Sequence, residues 1–192
     1  VTGVQTCALP ISISLPAFAQ TYPEKPIRII SPFTPGGGTD LMGRLIAQQF
    51  TKVWGQQVIV ENRPGANGML GAEFVAKAAP DGYTLLVGTM GTHGINASLY
   101  RKMPYDAVSD FTPITALITS PMLVLVHPSI PARSVKEFIT LAKARPAQIT
   151  FSSAGTGSVG HLAGELFNYL AQVKIVHVPY RGSGPATIDL LS

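Results

Sequence analysis

Charge is scarce in this chain. Asp, Glu, Lys and Arg make up 12% of its 192 residues, about half the share usual in a globular domain. The 14 Lys plus Arg exceed the 10 Asp plus Glu to give a net charge of +4, and there is no run of five or more basic residues, so nucleic acid is not expected as a partner. The single cysteine is Cys7, close to the N-terminus. A disulfide framework and thiolate chemistry are therefore closed to the rest of the chain. No stretch reaches the roughly 20 uninterrupted apolar residues that a membrane span requires. The HExxH metal spacing, the GxSxG nucleophile elbow and the GxxxxGK[ST] phosphate loop are also missing. His93, His127, His161 and His177 are dispersed. No enzyme site emerges, and neither a cofactor nor a metal is expected.

What the chain does have is 46% hydrophobic residues, punctuated by 19 Gly and 16 Pro without a fixed period. That is the composition of a folded domain with many turns, and the length suits one large domain or two small ones. Residues 1–19 carry no charge and end in Ala17-Phe18-Ala19, the small-x-small pattern of a signal-peptidase site, which predicts export with cleavage after Ala19. The initiating Met and basic region of a signal peptide are missing. VTGVQTCALPI reads instead like a translated sequencing adapter, so residues 1–19 are taken as adapter artefact plus signal-peptide remnant. A cysteine-free exported chain fits the bacterial periplasm.

The remainder alternates strands and helices. Residues 27–30 read as a strand, and Leu41, Met42, Leu45, Ile46, Phe50, Val53 and Trp54 recur at helical spacing, with Thr39 or Asp40 as N-cap and Gly55 as stop. A strand at 58–60, a helix at 69–79 and a strand at 84–87 follow. Their unbroken apolar strands predict a parallel sheet covered on both faces. From residue 89 the rhythm breaks: a short helix is expected near 95–100, then strands at 114–118 and 122–126 that cross between two lobes. Ser134 and Glu137 form a capping box for a helix to about Lys143. A strand at 149–152, a helix carrying Leu162, Leu166, Phe167 and Leu170, a strand at 175–178 and a helix with Pro185 at its first position complete the pattern. The units at 27–54 and 149–171 share an architecture but too few residues to be a repeat.

A strand that runs through a glycine loop into a helix gathers backbone N–H groups and the positive helix end at one point, a natural anion site. Gly36 to Asp40 is one such point; Gly155 to Ser158 is another. Ligands of open parallel sheets sit beyond the carboxyl ends of the strands. Two facing lobes would bring both loops to one cleft, a grip suited to a small carboxylate. Gly155-Thr156-Gly157-Ser158-Val159-Gly160 also matches GxGxxG between strand and helix, the dinucleotide fingerprint. No acid follows about twenty residues on, although Arg181 could hold a 2′-phosphate, so an NADP-binding oxidoreductase is the alternative. Asp40 could bind a ligand ammonium or cap its helix. His161 could reach a bound anion or be a structural histidine, and His177 reads as structural.

The segments YPEKPIRIISPFTPGGGTD, VENRPGANGMLGAEFVAKAAPDGYTLL, FSSAGTGSVGHLAGELF and VPYRGSGPA together resemble the extracytoplasmic solute receptors of the tripartite tricarboxylate transporter system, the Bug family. The resemblance runs from about Tyr22 to Ser192. It implies an α/β, two-lobed periplasmic-binding-protein fold of the type II, Venus-flytrap kind, with lobe 1 over 20–113 and lobe 2 over 114–192. It implies a periplasmic monomer that captures a small organic acid and passes it to the membrane subunits of the transporter. The ligand contacts that it carries onto this sequence are Phe33, Gly36, Gly37, Gly38, Thr39 and Asp40; Ser153, Ala154, Gly155, Thr156, Gly157, Ser158 and His161; and Thr89, Thr92 and Tyr180. Members of the family run to roughly 300 residues, about two domains, so lobe 2 is expected to be incomplete at its C-terminus.

Overall fold

The computed structural model describes residues 22–192. Residues 1–19, Cys7 and the expected cleavage point lie outside the described residues. The first unit is built on β1 (Ile27–Ser31), β2 (Val58–Asn62) and β3 (Thr84–Leu86), all parallel in the order β2-β1-β3. Ile27 pairs with Val58, and Arg28 pairs with Thr84. The central strand sets Ile27 and Ile29 on one face and Ile30 on the other, beside Arg28, which pairs with Glu61 at 2.6 Å, and helices cover both faces. On one side α1 (Gly38–Trp54) sets Ala47, Ile46, Phe50 and Trp54 against Ile27, Ile29, Val58 and Val87. On the other side α2 (Met69–Ala76) contributes Met69 and Ala72 to a cluster with Leu86, Tyr105 and Phe111. Ile27 and Ile30 are completely buried, each worth about 1.5–3 kcal/mol of transfer free energy. Helix α2 comes so close that a Cβ on Gly71 would lie 2.9 Å from Pro32 Cα. Only glycine allows that approach.

The second unit is smaller. Strands β4 (Thr150–Ser153) and β5 (Val176–Pro179) pair in parallel with Phe151 opposite His177. Around them lie α4 (Val135–Ala144), α5 (Val159–Ala171) and α6 (Ser183–Leu191). Its core is Phe138, Ala142 and Ile175, with Phe151 and Phe167 packed against it.

Several expectations need correction. No strand occurs at 114–118 or 122–126. Ile114, Ile118, Leu123 and Val124 are exposed, and a β-prone run becomes a strand only where an edge accepts its ladder; none among the described residues does. Helix α2 ends at Ala76 rather than Ala79, in keeping with the penalty on helical geometry before Pro80. The start of α1 is Gly38 with Gly37 as N-cap and no side-chain cap, so neither Thr39 nor Asp40 is the cap. Gly55 does stop the helix, at φ 68°. In α6, Pro185 is not the first residue, because the helix begins at Ser183; it remains in the first turn, where a missing N–H costs nothing. The short helix after β3 is a π turn (Gly91–Ile95) running into α3 (Asn96–Leu99). Ser134 caps α4 through the Glu137 N–H at 3.2 Å. The Glu137 carboxylate reaches back to the Arg133 N–H at 2.8 Å, one residue earlier than a capping box requires.

Candidate functional site

Each predicted glycine loop sits at the carboxyl end of a strand and opens a helix. After β1, the chain turns through Pro35-Gly36-Gly37 into α1. The three N–H groups of Gly38, Thr39 and Asp40 have no intrahelical acceptor, as at any helix start. Asp40 is buried, at 4% exposure, and closes the loop from inside: its carboxylate accepts from the Gly36 N–H at 3.0 Å and from Asn62 Nδ2 at 2.9 Å. Arg44 pairs with it at 3.0 Å. Burial opposes ionisation of Asp40, but the bonds from Arg44, Gly36 and Asn62 outweigh it and hold the carboxyl below its usual range. Asp40 is thus committed to loop geometry. Ser31 Oγ donates to Thr39 Oγ1 at 3.1 Å, and the Phe33 carbonyl accepts from Asn62 Nδ2 at 3.0 Å.

After β4, Ser153 Oγ accepts from the Gly155 N–H at 3.1 Å and lies 2.6 Å from His177 Nε2. Ala154 and Gly155 carry the turn onward to Thr156, which is exposed. Ser158 caps α5 by accepting from the His161 N–H at 3.3 Å. His161 Nδ1 accepts from the Gly157 N–H at 3.1 Å, and its ring stacks on His177 with centroids 4.0 Å apart. Burial, and then the neighbouring His161, push the His177 imidazole below its ordinary value. Both histidines therefore brace the second loop. Thr92 is fully buried, its hydroxyl 3.1 Å from the Thr89 carbonyl and 2.8 Å from His93 Nδ1. Tyr180 follows β5, and its hydroxyl donates to Asp189 of α6.

These loops meet. A Cβ on Gly37 would lie 3.0 Å from Ser183 Oγ, and one on Gly184 would lie 3.1 Å from the Pro35 carbonyl oxygen. The loop after β1 therefore touches the start of α6. Gly157 abuts Leu99 and Asn67, so the loop after β4 touches the turn after β2 and the helix after β3. Segments that follow all five strands thus take part in contacts between the two units. Two surface hollows lie elsewhere, one lined by Arg44, Ala47, Thr51 and Val60 and one by Arg28, Arg63, Glu73 and Phe74. Asn62, Asn67, Asn96 and Ser183 were not singled out in the sequence. Asn62 and Asn67 lie in the VENRPGANG stretch that helps carry the family resemblance, but no role attached to either there, and what makes them matter is contact across the fold. Among the described residues there is no cluster of three or more metal-ligating side chains, and no helix is long and apolar enough to cross a membrane.

Parallel sheets with glycine-loop helix starts gathered at the strand ends define an α/β fold of the periplasmic-binding-protein class, and comparison with solved structures agrees. An R. palustris protein solved with adipate superposes with TM-score 0.85 at 41% identity, covering 88% of this chain and 56% of that one. MatC from Rhodopseudomonas palustris with bound malate gives 0.81 at 38%, covering 88% and 57%. The periplasmic binding protein BugD gives 0.77 at 32%, covering 88% and 56%. Residues 42–192 match the profile of the tripartite tricarboxylate transporter family receptor, and the chain belongs to that family. BugT of Bordetella pertussis is 39% identical over 180 residues, which cover 93% of this chain and 55% of BugT. The chain spans about half the length of the relatives it matches.

Proposed function

We propose that this chain comes from a periplasmic receptor, not an enzyme, that captures a small organic carboxylate and delivers it to the membrane subunits of a tripartite tricarboxylate-type transporter. It works as a monomer of two lobes, 20–113 and 114–192, that close over the ligand by hinge motion. One observation carries the reading: the uncapped start of α1 and the start of α5 each follow a glycine loop that touches the other sheet unit, the first against Ser183 and Gly184 and the second against Asn67 and Leu99. Amides at helix starts favour an anion. Phe33 and Gly36 to Asp40 form one wall of the site and Ser153 to Ser158 the other. Thr89, Thr92, His161 and Tyr180 flank them. Within these walls Asp40, Thr92, His161 and Tyr180 act through the loops they brace, while the backbone amides take the carboxylate oxygens. The adipate and malate held by two structural neighbours support a di- or hydroxydicarboxylate as the ligand class.

A thermal-shift screen of the full-length protein against dicarboxylates, tricarboxylates, aromatic acids, amino acids and NADP tests this. A true ligand at about 100 times its Kd adds about 2.7 kcal/mol of apparent stability. A shift with a carboxylate and none with NADP is expected. A shift with NADP alone would overturn the receptor reading in favour of dinucleotide binding at Gly155 to Gly160.

A further inference from the structure

Asn67 lies in the turn between β2 and α2 with left-handed backbone, φ 52° and ψ 41°, and is 8% exposed. Asparagine is among the few side-chain-bearing residues that tolerate this region. Its Nδ2 donates twice, to Asn96 Oδ1 at 2.9 Å and to the Gly157 carbonyl at 2.8 Å. Asn96 Nδ2 answers by donating to the Asn67 carbonyl at 3.2 Å. Two acceptors for Nδ2 fix the orientation of the amide, and that orientation leaves Oδ1 buried without a partner. A buried, half-satisfied amide on strained backbone is unfavourable within its own sheet unit. The bond to Gly157 is what sets it apart. It joins residues 90 positions apart and is, among the described residues, the one side-chain hydrogen bond linking the β1 unit to the β4 unit. Gly157 has φ 81°, and a Cβ there would collide with Leu99 and come within 3.4 Å of Asn67 Nδ2. The two loops approach as closely as backbone allows.

We propose that Asn67 is a positioning residue for ligand capture: by holding the Gly157 carbonyl it latches the second glycine loop to the first lobe in the closed arrangement. A hydrogen bond to that carbonyl fixes the plane of the peptide joining Gly157 to Ser158, and with it the aim of the amides that open α5. The inference rests on the two-lobed receptor reading, so its test uses no ligand and remains readable if no carboxylate binds.

The test is the distance distribution between spin labels on cysteines placed at Val53 and Tyr169, which are 75% and 78% exposed on α1 and α5. It is measured in the ligand-free full-length protein. The parent is compared with Asn67→Gly, which keeps the left-handed backbone but loses the amide, and with Asn67→Asp, which keeps the shape but cannot donate. A neutral hydrogen bond of ordinary net strength predicts that the ratio of short to long distances falls about two- to tenfold in both variants. Far-UV dichroism confirms that each variant is folded; if one fails to fold, the other decides. A parent with no short-distance population, or a distribution unchanged in the folded variants, would overturn the latch.

Discussion

The two sheet units use the same loop chemistry on very different foundations. In the first, a central strand is sandwiched between helices and Ile27, Ile29 and Ala47 are sealed. In the second, a two-stranded sheet leaves α5 without a single buried residue, and Leu162, Leu166, Tyr169 and Leu170 stand exposed. Two strands are what this chain, about half the length of its relatives, supplies to the second sheet, and two strands have too little area to cover the helices on them. In both units the loops are held by side chains beside them, by Asp40 inside the first loop and by Ser153, His161 and His177 around the second.

The sharpest way to break this contrast is in the cores. In this 192-residue chain, Ile27→Ala should cost about 2–5 kcal/mol in urea unfolding, whereas Leu166→Ala should stay within about 0.5 kcal/mol; equal losses in the same chain would mean that α5 is covered after all. Next in size is Gly71→Ala, where a Cβ meets the Pro32 backbone at 2.9 Å. Overpacking there should cost about 1–3 kcal/mol, visible as a lowered Tm. Asp40→Asn should cost about 1–3 kcal/mol at neutral pH by loosening the first loop. Because the folded carboxyl titrates below its ordinary value, its contribution is present above about pH 4 and lost as pH falls through the folded value. The parent should thus lose stability on acidification where the Asn variant stays flatter. The smallest effect belongs to His177. Its lowered folded value means that the unfolded chain takes the proton first, so stability should decline as pH drops below about 6.5 and level off once the folded imidazole is charged. His177→Gln should lessen that decline, as followed by melting curves from pH 7.5 to 5.

Much of this architecture is legible in the sequence because its signals are local. The run Ile27 to Ile30, the helical spacing from Leu41 to Trp54, the Ser134 cap and the two glycine loops each lie within a few residues, and each appears in the structure. Sequence fails where partners are distant. Residues 114–126 have the composition of strands but find no ladder. Asp40 resembles a helix cap, yet its carboxylate turns to Gly36, Asn62 and Arg44. His177 was legible as structural by alternation with its neighbours, although its partner Ser153 lies 24 residues earlier. Asn67 lies in one of the segments that carry the family resemblance, yet nothing in that segment gives it a role. Its importance lies in a contact with Gly157, which only the fold creates.

The proposal that one seam takes a carboxylate between two helix starts is tested most directly by locating a bound one. For whichever carboxylate stabilises the full-length protein, a crystal structure of the complex should place its oxygens within hydrogen-bond distance of amides from both Gly36–Asp40 and Ser153–Gly160. A carboxylate bound at the Arg63 and Phe74 hollow, or at one glycine loop with the other loop turned away, would contradict it.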